Sequence, residues 1–554
     1  MRVVDPAYRA HRLVAGTPLR GSCGMAFDCD GNVLVGHVFS ARVSRIDLAS
    51  GEISTFIDPG RGLIAADDIT SDGQGTYWTS CTSGLAGESV YRLSRCGAVR
   101  KLYSGIAGAN GITFNRRTGR LFVGQFGAGN GLYEIDPAGK AAPRLITRDF
   151  ASTNALDCDP DDNLLVTVAG GRIARVHPDT GEWSLLDVRF PHNSALKVGA
   201  EGEIYVTGYE AGFGIVWRVA PDGRSMEVLS SGVLPPLDNL LYSPAGRLYV
   251  SSLRDATVIE LELSAHCREL RRFSETGPPT IGPMVSCDDR LFVNDGLSLR
   301  ELDRATGQLA MTRGSFYERR GFPTPGGMQA IGAGRFYMCQ GPQSSMSNVS
   351  DGRIFRVDIR DFSFELVNAG TYQAVNSPSA LCLAGCAIHV AEFLSGQIVA
   401  IDQAGNDSRR AVIGRGLQGP LGIVHCEGRL YVAESLGQRI STIDLKSGRQ
   451  DVLVSAGAVG RPTALALDAQ GFLITIDANE RRLLRIDRST GAVAPIADGL
   501  AVYPIIVSNW PLLGVANGLA VGPRGELYVG GNADGSVWCL ERTAAGGPAR
   551  RAAH

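Results

Sequence analysis

The residues best suited to chemistry in this sequence are Asp and Asn side chains that recur at one position of a long repeat. Asp67, Asn110, Asn154, Asn193 and Asp238 each stand at the start of a short apolar stretch, and consecutive members are 39 to 45 residues apart. Carboxylate and amide oxygens that converge from several strands are the ligands that hard divalent cations such as Ca²⁺ prefer. The spacing therefore predicts a cation site, provided that the fold brings these positions together.

The repeat consists of a polar residue, a short apolar strand, a Gly-containing turn and a second strand, as in residues 110–114 and 119–123. Twelve such units begin at Cys23, Asp67, Asn110, Asn154, Asn193, Asp238, Gly282, Gly327, Ser379, Leu421, Thr463 and Asn517. A unit of this length with about four short strands is typical of one blade of a β-propeller. The fold class predicted is therefore all-β.

Twelve blades predict a tandem pair of six-bladed β-propellers, with the first over residues 1–264, the second over 265–541 and a flexible tail over 542–554. A strand-like segment near residues 12–15 has no blade before it, and the last blade lacks a fourth strand of its own. We expect residues 12–15 to close the sixth blade and residues 267–273 to close the twelfth, because closure removes open sheet edges. Seven blades plus five, or one large ring, are the alternative divisions.

The two halves of the chain differ at the repeated position. In the second half it holds Gly282, Gly327, Ser379, Leu421, Thr463 and Asn517. Because the repeat tolerates Gly and Leu there, the fold alone does not require Asp or Asn. The alternative role of Asn and Asp at a strand start is to cap backbone amides, but the contrast between the halves favours a metal site in the first.

Blade segments such as residues 432–440 and 477–483 resemble the six-bladed propellers of the NHL, SMP-30/gluconolactonase, paraoxonase and virginiamycin B lyase group. The adjacent Asp238 and Asn239 look like the Asp-Asn pair of the paraoxonase type. The resemblance implies a catalytic divalent metal held by Asp, Asn and Glu side chains at the inner positions. Cys23 and Gly24 stand where those families have a Glu, so Asp67 would supply the missing carboxylate.

These observations lead to one main hypothesis and two alternatives. The main hypothesis is a metal-dependent hydrolase of a small lactone or ester, with Ca²⁺ as the expected ion and Mg²⁺, Mn²⁺ or Zn²⁺ as alternatives. The alternatives are a metal-dependent lyase or isomerase, and a propeller that binds or scaffolds without catalysis. The predicted ligand pool is Asp67, Asn110, Asn154, Asn193, Asp238 and Asn239, and the predicted catalytic residues are His192, Asp67 and Asp238.

Other side chains are secondary candidates at the same mouth. His37 is a second candidate base after His192, and Asp67 or Asp68 could serve instead. Gln125, Tyr209 and Arg254 follow second strands and are candidate substrate contacts. The sequence has no phosphate-binding glycine loop and no Gly-x-Ser-x-Gly elbow, so neither a nucleotide enzyme nor a serine hydrolase is indicated.

The composition limits the classes of partner that we expect the protein to bind. The net charge of -2 offers no basic face for nucleic acid or anionic membranes, and no run of 18 apolar residues predicts a membrane span. Residues 1–20 lack the apolar core of a secretory signal, so we expect a cytoplasmic protein with reduced thiols and a small-molecule substrate. Two long loops, at 340–350 and 500–515, suggest that the second propeller is a surface for homo-oligomer formation.

Overall fold

The computed structural model describes most of the chain. The described residues are 1–38, 42–58, 61, 63, 66–80, 89–126, 129–150, 152–243, 245–264, 266–274, 278, 281–295, 298–315, 326–340, 352–368, 375–403, 410–502 and 518–543. The repeat start Asn517, nearly all of the two long loops and residues 544–554 of the predicted tail lie outside these residues, whereas Arg542 belongs to the last strand. No helix in the described part is long and apolar enough to cross a membrane.

The described residues form twelve antiparallel sheets. The chain begins with β1 (Arg2–Val3) and β2 (Tyr8–Val14). Blades 1 to 3 follow, each from its inner to its outer strand: β3 (Ser22–Phe27), β4 (Val33–His37), β5 (Arg42–Ile46), β6 (Ile53–Ile57); β7 (Ala66–Ser71), β8 (Gly75–Ser80), β9 (Ser89–Ser94), β10 (Val99–Ser104); β11 (Ala109–Asn115), β12 (Arg120–Gln125), β13 (Leu132–Ile135), β14 (Arg144–Thr147). Blades 4 to 6 are β15 (Leu156–Cys158), β16 (Leu164–Val168), β17 (Arg172–Val176), β18 (Trp183–Leu185); β19 (Ala195–Val198), β20 (Ile204–Glu210), β21 (Phe213–Val219), β22 (Met226–Leu234); β23 (Leu240–Tyr242), β24 (Arg247–Ser252), β25 (Thr257–Glu262), β26 (Arg268–Phe273).

The second half repeats the pattern. Blades 7 to 9 are β27 (Met284–Cys287), β28 (Arg290–Asn294), β29 (Ser298–Leu302), β30 (Leu309–Ser315); β31 (Met328–Gly332), β32 (Arg335–Gln340), β33 (Arg353–Asp358), β34 (Ser363–Leu366); β35 (Pro378–Ala384), β36 (Ala387–Glu392), β37 (Gln397–Asp402), β38 (Ala411–Gly414). Blades 10 to 12 are β39 (Pro420–Cys426), β40 (Arg429–Glu434), β41 (Arg439–Asp444), β42 (Gln450–Val454); β43 (Pro462–Leu467), β44 (Leu473–Asp477), β45 (Arg482–Ile486), β46 (Val493–Asp498); β47 (Leu519–Val521), β48 (Leu527–Gly530), β49 (Val537–Arg542).

The sheets close into two rings of six. In the first ring, each inner strand contacts the next from β3 to β23, and β23 contacts β3. In the second ring the same succession runs from β27 to β47 and returns to β27. Apolar side chains of neighbouring sheets form the core between them, as where Met25 and Val35 of blade 1 pack with Tyr249 of blade 6. The predicted all-β fold of twelve blades in two six-bladed rings is confirmed.

The predicted closure of the rings is wrong. β26 pairs with β25 in its own blade 6, whereas β2 pairs with β49 of blade 12 and β1 pairs with β46 of blade 11. The third strand of blade 6 is followed directly by a strand that can form a hairpin with it, and a short connection costs little entropy to close. The described chain offers β49 no such strand, so the N-terminal segment covers it. Residues 2–14, predicted in the first propeller, thus complete sheets of the second ring.

The inner strands share a local irregularity at the repeated position. In β3, β7 and β11 the register with the second strand shifts across Cys23–Gly24, Asp67–Asp68 and Asn110–Gly111 respectively. The second ring has the same shift in β35, β39 and β43, across Ser379, Leu421 and residues 463–464. A bulge bends the strand and turns a side chain away from the regular alternation. The bulge is therefore a feature of the repeat in both rings, whereas the residue type at the bulge differs from blade to blade.

Candidate functional site

The six predicted positions of the first ring lie at the starts of its inner strands. Cys23, Asp67 and Asn110 occupy the bulges of β3, β7 and β11, whereas Asn154, Asn193 and Asp238 each lie two residues before the first residue of β15, β19 and β23. We refer to this group, together with Asp68 and Asn239, as the first-ring mouth. Its members do not all point at one another, and their hydrogen bonds divide them into pairs.

Two of the asparagines connect neighbouring blades. The Asn110 side-chain amide donates to Asp67 Oδ2 at 3.0 Å, so that Asn110 holds the carboxylate of the preceding blade. The Asn154 amide donates to the carbonyl oxygen of Ser194 in the next blade at 2.7 Å. In both residues the nitrogen is the atom engaged in these bonds, which leaves the oxygen as the acceptor for a further partner.

A second pair spans the ring. Asn239 of blade 6 donates to Asp68 Oδ1 of blade 2 at 3.0 Å, and the amide of Ile112 donates to Asp68 Oδ2 at the same distance. Gly24 of blade 1 lies between them, and a Cβ at Gly24 would come within 2.8 Å of Asp68 Oδ1. Glycine is therefore needed at position 24, because any side chain there would collide with Asp68. Asn239 also accepts from the Leu240 amide at 2.8 Å, so both of its polar atoms are engaged.

Asp68 was a candidate base but not one of the predicted metal ligands, although it stands beside Asp67. It is 2% exposed, and burial is the main cause that raises its pKa. The charge of Lys197 and the hydrogen bonds from Ile112 and Asn239 oppose that rise. The adjacent Asp-Asp pair at the start of blade 2 was the sequence signal that could have identified it.

Asp238 is a second carboxylate of the first-ring mouth whose pKa is raised. Burial raises its pKa to about 7, a hydrogen bond from the Cys23 thiol lowers it, and the charge of Asp68 raises it further. Asp238 nonetheless keeps part of its surface accessible. The Cys23 thiol is 2% exposed, and burial with the nearby Asp238 and Asp67 raises its pKa well above the usual range. Cys23 is therefore protonated and donates to Asp238 at neutral pH.

The remaining predicted residues lie toward the rim. The Asn193 amide donates to the carbonyl oxygen of Arg172 in blade 4 at 2.9 Å. His192 is exposed, and its ring lies 4.2 Å from the ring of Tyr209 with an interplanar angle of 37°. Beside them, Leu253 packs against Cys23. The mouth therefore has an aromatic and apolar side at blades 5, 6 and 1, and a polar side at blades 2 to 4.

Three secondary candidates have structural partners. His37 is fully buried, accepts from the Arg20 amide at 3.1 Å and lies 2.8 Å from Ser44 Oγ, and burial lowers its pKa to about 3. Gln125 accepts from the Gly131 amide at 2.7 Å and donates to the Ala107 carbonyl. Arg254 forms a two-point ion pair with Asp255. These contacts fasten loops, so none of the three is pre-positioned for substrate.

The donor chemistry of the first-ring mouth fits a hard divalent cation. Asp67, Asp68 and Asp238 are carboxylates, the asparagines add amide oxygens, and repulsion between Asp68 and Asp238 is relieved by positive charge. Among the described residues, however, no three His, Cys, Asp or Glu side chains are grouped closely enough to hold a metal by themselves. A bound ion would therefore need amide oxygens, such as those of Asn110 and Asn154, in its ligand shell.

Comparison with protein families gives a match to the first ring. Residues 2–208 match the SMP-30/Gluconolactonase/LRE-like region. No match was found among curated proteins. The match covers β1, β2 and most of the first ring, and it includes four of the six predicted metal ligands.

Solved structures also give matches, all at low sequence identity. A GH74 xyloglucanase from Xanthomonas campestris is 13% identical, with 97% of this chain and 100% of that chain covered and a TM-score of 0.47. A proposed gluconolactonase is 19% identical over 49% of this chain and 99% of that chain, with a TM-score of 0.36. The tricorn protease is 13% identical over 86% of this chain, which spans 48% of the protease chain, with a TM-score of 0.35.

Proposed function

We propose that the first ring is a divalent-metal-dependent hydrolase that opens a small lactone or ester at the mouth of its channel. The observation that carries the proposal is the concentration of buried and half-buried carboxylates at this mouth, with the pKa of Asp238 raised to about 7 and that of Asp68 also raised. Strongly perturbed carboxylates in a concave site are typical of catalytic and metal centres. The family match over residues 2–208 supports the same reading.

The ligand pool proposed for the ion is Asp67, Asp238 and the amide oxygens of Asn110 and Asn154. Asn193 and Asn239 would act mainly by fixing the loops around it, because their amides are bonded to Arg172 and Asp68. Ca²⁺ is the ion that we propose first, since it accepts many oxygen ligands in irregular geometry, with Mg²⁺, Mn²⁺ and Zn²⁺ as alternatives. When bound, such an ion polarises a carbonyl oxygen and lowers the pKa of water.

Asp238 is the proposed proton acceptor. The pKa of Asp238 lies near 7 without metal, and a neighbouring cation would lower it and favour the ionised form. The ionised carboxylate can take a proton from an attacking water and return it to the leaving alkoxide. The Cys23 thiol donates to Asp238 and so fixes the orientation of its carboxylate. The exposed ring of His192, stacked near Tyr209, offers a flat surface to the substrate at the rim. Asp67, held by Asn110, faces the same mouth from blade 2.

The first experiment tests metal binding. Protein treated with chelator and dialysed is titrated with Ca²⁺, Mg²⁺, Mn²⁺ and Zn²⁺ while the melting temperature is recorded. An ion at 100 times its Kd should add about 2.7 kcal/mol to the free energy of unfolding. Asp238→Ala should abolish the shift, whereas Glu182→Gln, which removes an exposed carboxylate from an outer turn of blade 4, should leave it unchanged.

The second experiment tests the reaction. A panel of lactones and aryl esters is followed by proton release, and product masses separate hydrolysis, which adds water, from elimination or isomerisation, which does not. Metal binding without proton release would favour the lyase or isomerase alternative. The absence of both binding and turnover would leave a propeller that binds or scaffolds.

A further inference from the structure

The second ring contains a cavity that the proposed function does not use. Its volume is about 400 Å³, and the six inner strands β27, β31, β35, β39, β43 and β47 line it. Cavities that hold small organic molecules have volumes of roughly 300–1,000 Å³. The walls belong to six sheets that pack on one another around a closed ring, so the cavity is formed before any ligand arrives.

The lining of this cavity is uncharged. None of the described residues that line it is Asp, Glu, Lys or Arg, and most of the lining residues are apolar, although polar atoms form the larger part of the surface that the cavity exposes. The inner strands of the first ring, by contrast, carry the charged groups Asp157 and Lys197. An ionic ligand would lose its hydration in the second ring without meeting an opposite charge, which costs several kcal/mol. The cavity therefore selects for neutral molecules.

A small number of polar groups remain for hydrogen bonding. Each inner strand pairs on one side only, so the backbone groups of its other edge face the axis. His425 lines the cavity and is partly exposed to it, whereas the hydroxyl of Ser379 already donates to the carbonyls of Ala391 and Pro420. Gln329 also lines the cavity, and its amide donates to the Ala330 carbonyl at 3.0 Å. His425 is therefore the side chain best placed to bond a ligand.

We propose that the second ring binds an uncharged small molecule that combines an apolar part with hydrogen-bonding groups for His425 and for the backbone edges of the inner strands. This site lies in a different ring from the proposed metal centre and does not depend on it. The second ring would then be a ligand-binding module in addition to any part it has in assembly.

The test uses the whole chain and a neutral fluorescent probe, N-phenyl-1-naphthylamine, whose emission rises in apolar surroundings. We expect saturable binding with one site per chain and weaker binding of the anionic 1-anilinonaphthalene-8-sulfonate. Hydrogen exchange measured by mass spectrometry on the unmodified protein should slow in β39 and β43 when the probe is bound. The absence of saturable binding, or protection confined to the first ring, would overturn the proposal.

Two variants that fill the cavity test its location. Ala466→Phe and Ala380→Phe enlarge two half-buried residues that line the cavity from different strands and also pack against the cores between the sheets, and each should weaken probe binding at least tenfold. Val452→Phe adds the same ring on the outer strand β42, where Val452 is 50% exposed, and should bind like the unmodified protein. Circular dichroism checks the fold of each variant, and the exchange measurement needs no variant.

One further variant keeps this proposal separate from the proposed function. Asp238→Asn alters the first-ring mouth and should leave probe binding unchanged. If Ala466→Phe and Ala380→Phe bind the probe as tightly as the unmodified protein, the proposed site in the cavity is contradicted, even if the first ring binds a metal ion. Conversely, probe binding that the filling variants abolish would stand even if the first ring binds no metal.

Discussion

The two rings use carboxylates in different places. In the second ring, Asp295, Glu392, Glu434 and Asp477 lie at or next to the ends of second strands, and all four are fully buried. Glu434, for example, accepts from the Gln418 amide at 2.6 Å and from Arg439 at 2.8 Å. Asp477 accepts from the amides of Gly460 and Arg461. These acids fasten the loops that lead into the inner strands.

In the first ring the equivalent fastening is done by neutral side chains. His37 bonds the Arg20 amide, Gln125 bonds Gly131 and Ala107, and Ser252 donates to the Pro236 carbonyl at 2.8 Å. The acids of this ring instead lie at the inner strand starts, as Asp67, Asp68 and Asp238. A buried acid that is paired with arginine and backbone amides is a structural group, whereas one that is buried with a raised pKa is available for chemistry.

The largest expected effect comes from removing residues 1–16. This deletion takes away β1 and β2, which pair with blades 11 and 12 of the second ring, and it exposes the edge of β49. Hydrogen exchange should show lost protection in blades 7 to 12 and retained protection in blades 1 to 6. Uniform loss in both rings would show that the rings fold as one unit.

A matched control for the deletion keeps both strands and removes only side-chain contacts. Arg2→Ala and Arg9→Ala break exposed ion pairs with Asp498 and Glu541. Exposed pairs of this kind contribute about 0–1 kcal/mol, so the melting temperature should change little.

Substitution of a fastening acid should have the next largest effect. Glu434→Ala leaves Arg439 and the Gln418 amide without their acceptor, and breaking a buried ion pair costs about 3–5 kcal/mol. Glu434→Gln keeps the shape and should cost less. Gln125→Ala, its counterpart in the first ring, should cost about 1–3 kcal/mol, because neutral hydrogen bonds are lost. Unfolding in urea measures the stability of all three variants. Equal losses of stability in Glu434→Ala and Gln125→Ala would contradict the assignment of an ionic role to Glu434 and a neutral one to Gln125.

Asp238→Asn should stabilise the metal-free protein at high pH. The pKa of Asp238 is raised from 3.8 to about 7, so the folded state holds the proton more tightly than the unfolded state. Stability from this proton is complete below the unfolded pKa of 3.8 and is lost as pH rises through 7. In chelator, the variant should therefore melt at a higher temperature than the unmodified protein at pH 8, by a few degrees for each gain of about 1 kcal/mol in the free energy of unfolding. At pH 4 the two proteins should melt at the same temperature.

The same variant distinguishes a catalytic carboxylate from a merely buried one. If a divalent ion binds at Asp238, adding it should stabilise the unmodified protein and not the variant, which reverses their order at pH 8. A variant that is less stable at every pH without metal would place Asp238 among the fastening acids.

The smallest effect is expected at His192. Its ring is exposed at the rim beside Tyr209, so His192→Ala should lower kcat/KM for a hydrolysed lactone or ester by less than about tenfold, mainly through KM. Tyr209→Ala should match it, because the two rings form one surface. A loss of 100-fold or more in kcat, with a changed pH profile, would instead make His192 the general base.

Much of the architecture could be predicted from the repeat. The spacing, which is 39 to 45 residues for most of the repeats, predicts four short strands per blade, and the count of twelve favours two rings of six over the other divisions. The contrast between Asp or Asn in one half and Gly, Ser or Leu in the other also requires only the sequence. Local patterns of apolar residues, turns and bulges are set within one blade, so they can be read along the chain.

The pairing of strands that lie far apart in the sequence could not be predicted from these local patterns. The strand at residues 12–15 was expected to close blade 6, but β2 pairs with β49 more than 500 residues away, since any uncovered edge strand presents the same unpaired backbone groups. The bond between Asn239 and Asp68 depends on two blades that meet only across the ring, past Gly24.

The sequence by itself thus determined the blades, their number and the oxygen-rich positions at the first-ring mouth, because these follow from local periodicity and residue type. The tertiary structure decided which edges pair and how the polar groups are shared. In the folded protein the side-chain amides of Asn193 and Asn239 donate to Arg172 and Asp68, so that Asp68 joins the first-ring mouth. Asp238 lies beside Cys23. Hydrogen bonding and burial depend on which blades are neighbours in space, and that proximity exists only once both rings have closed.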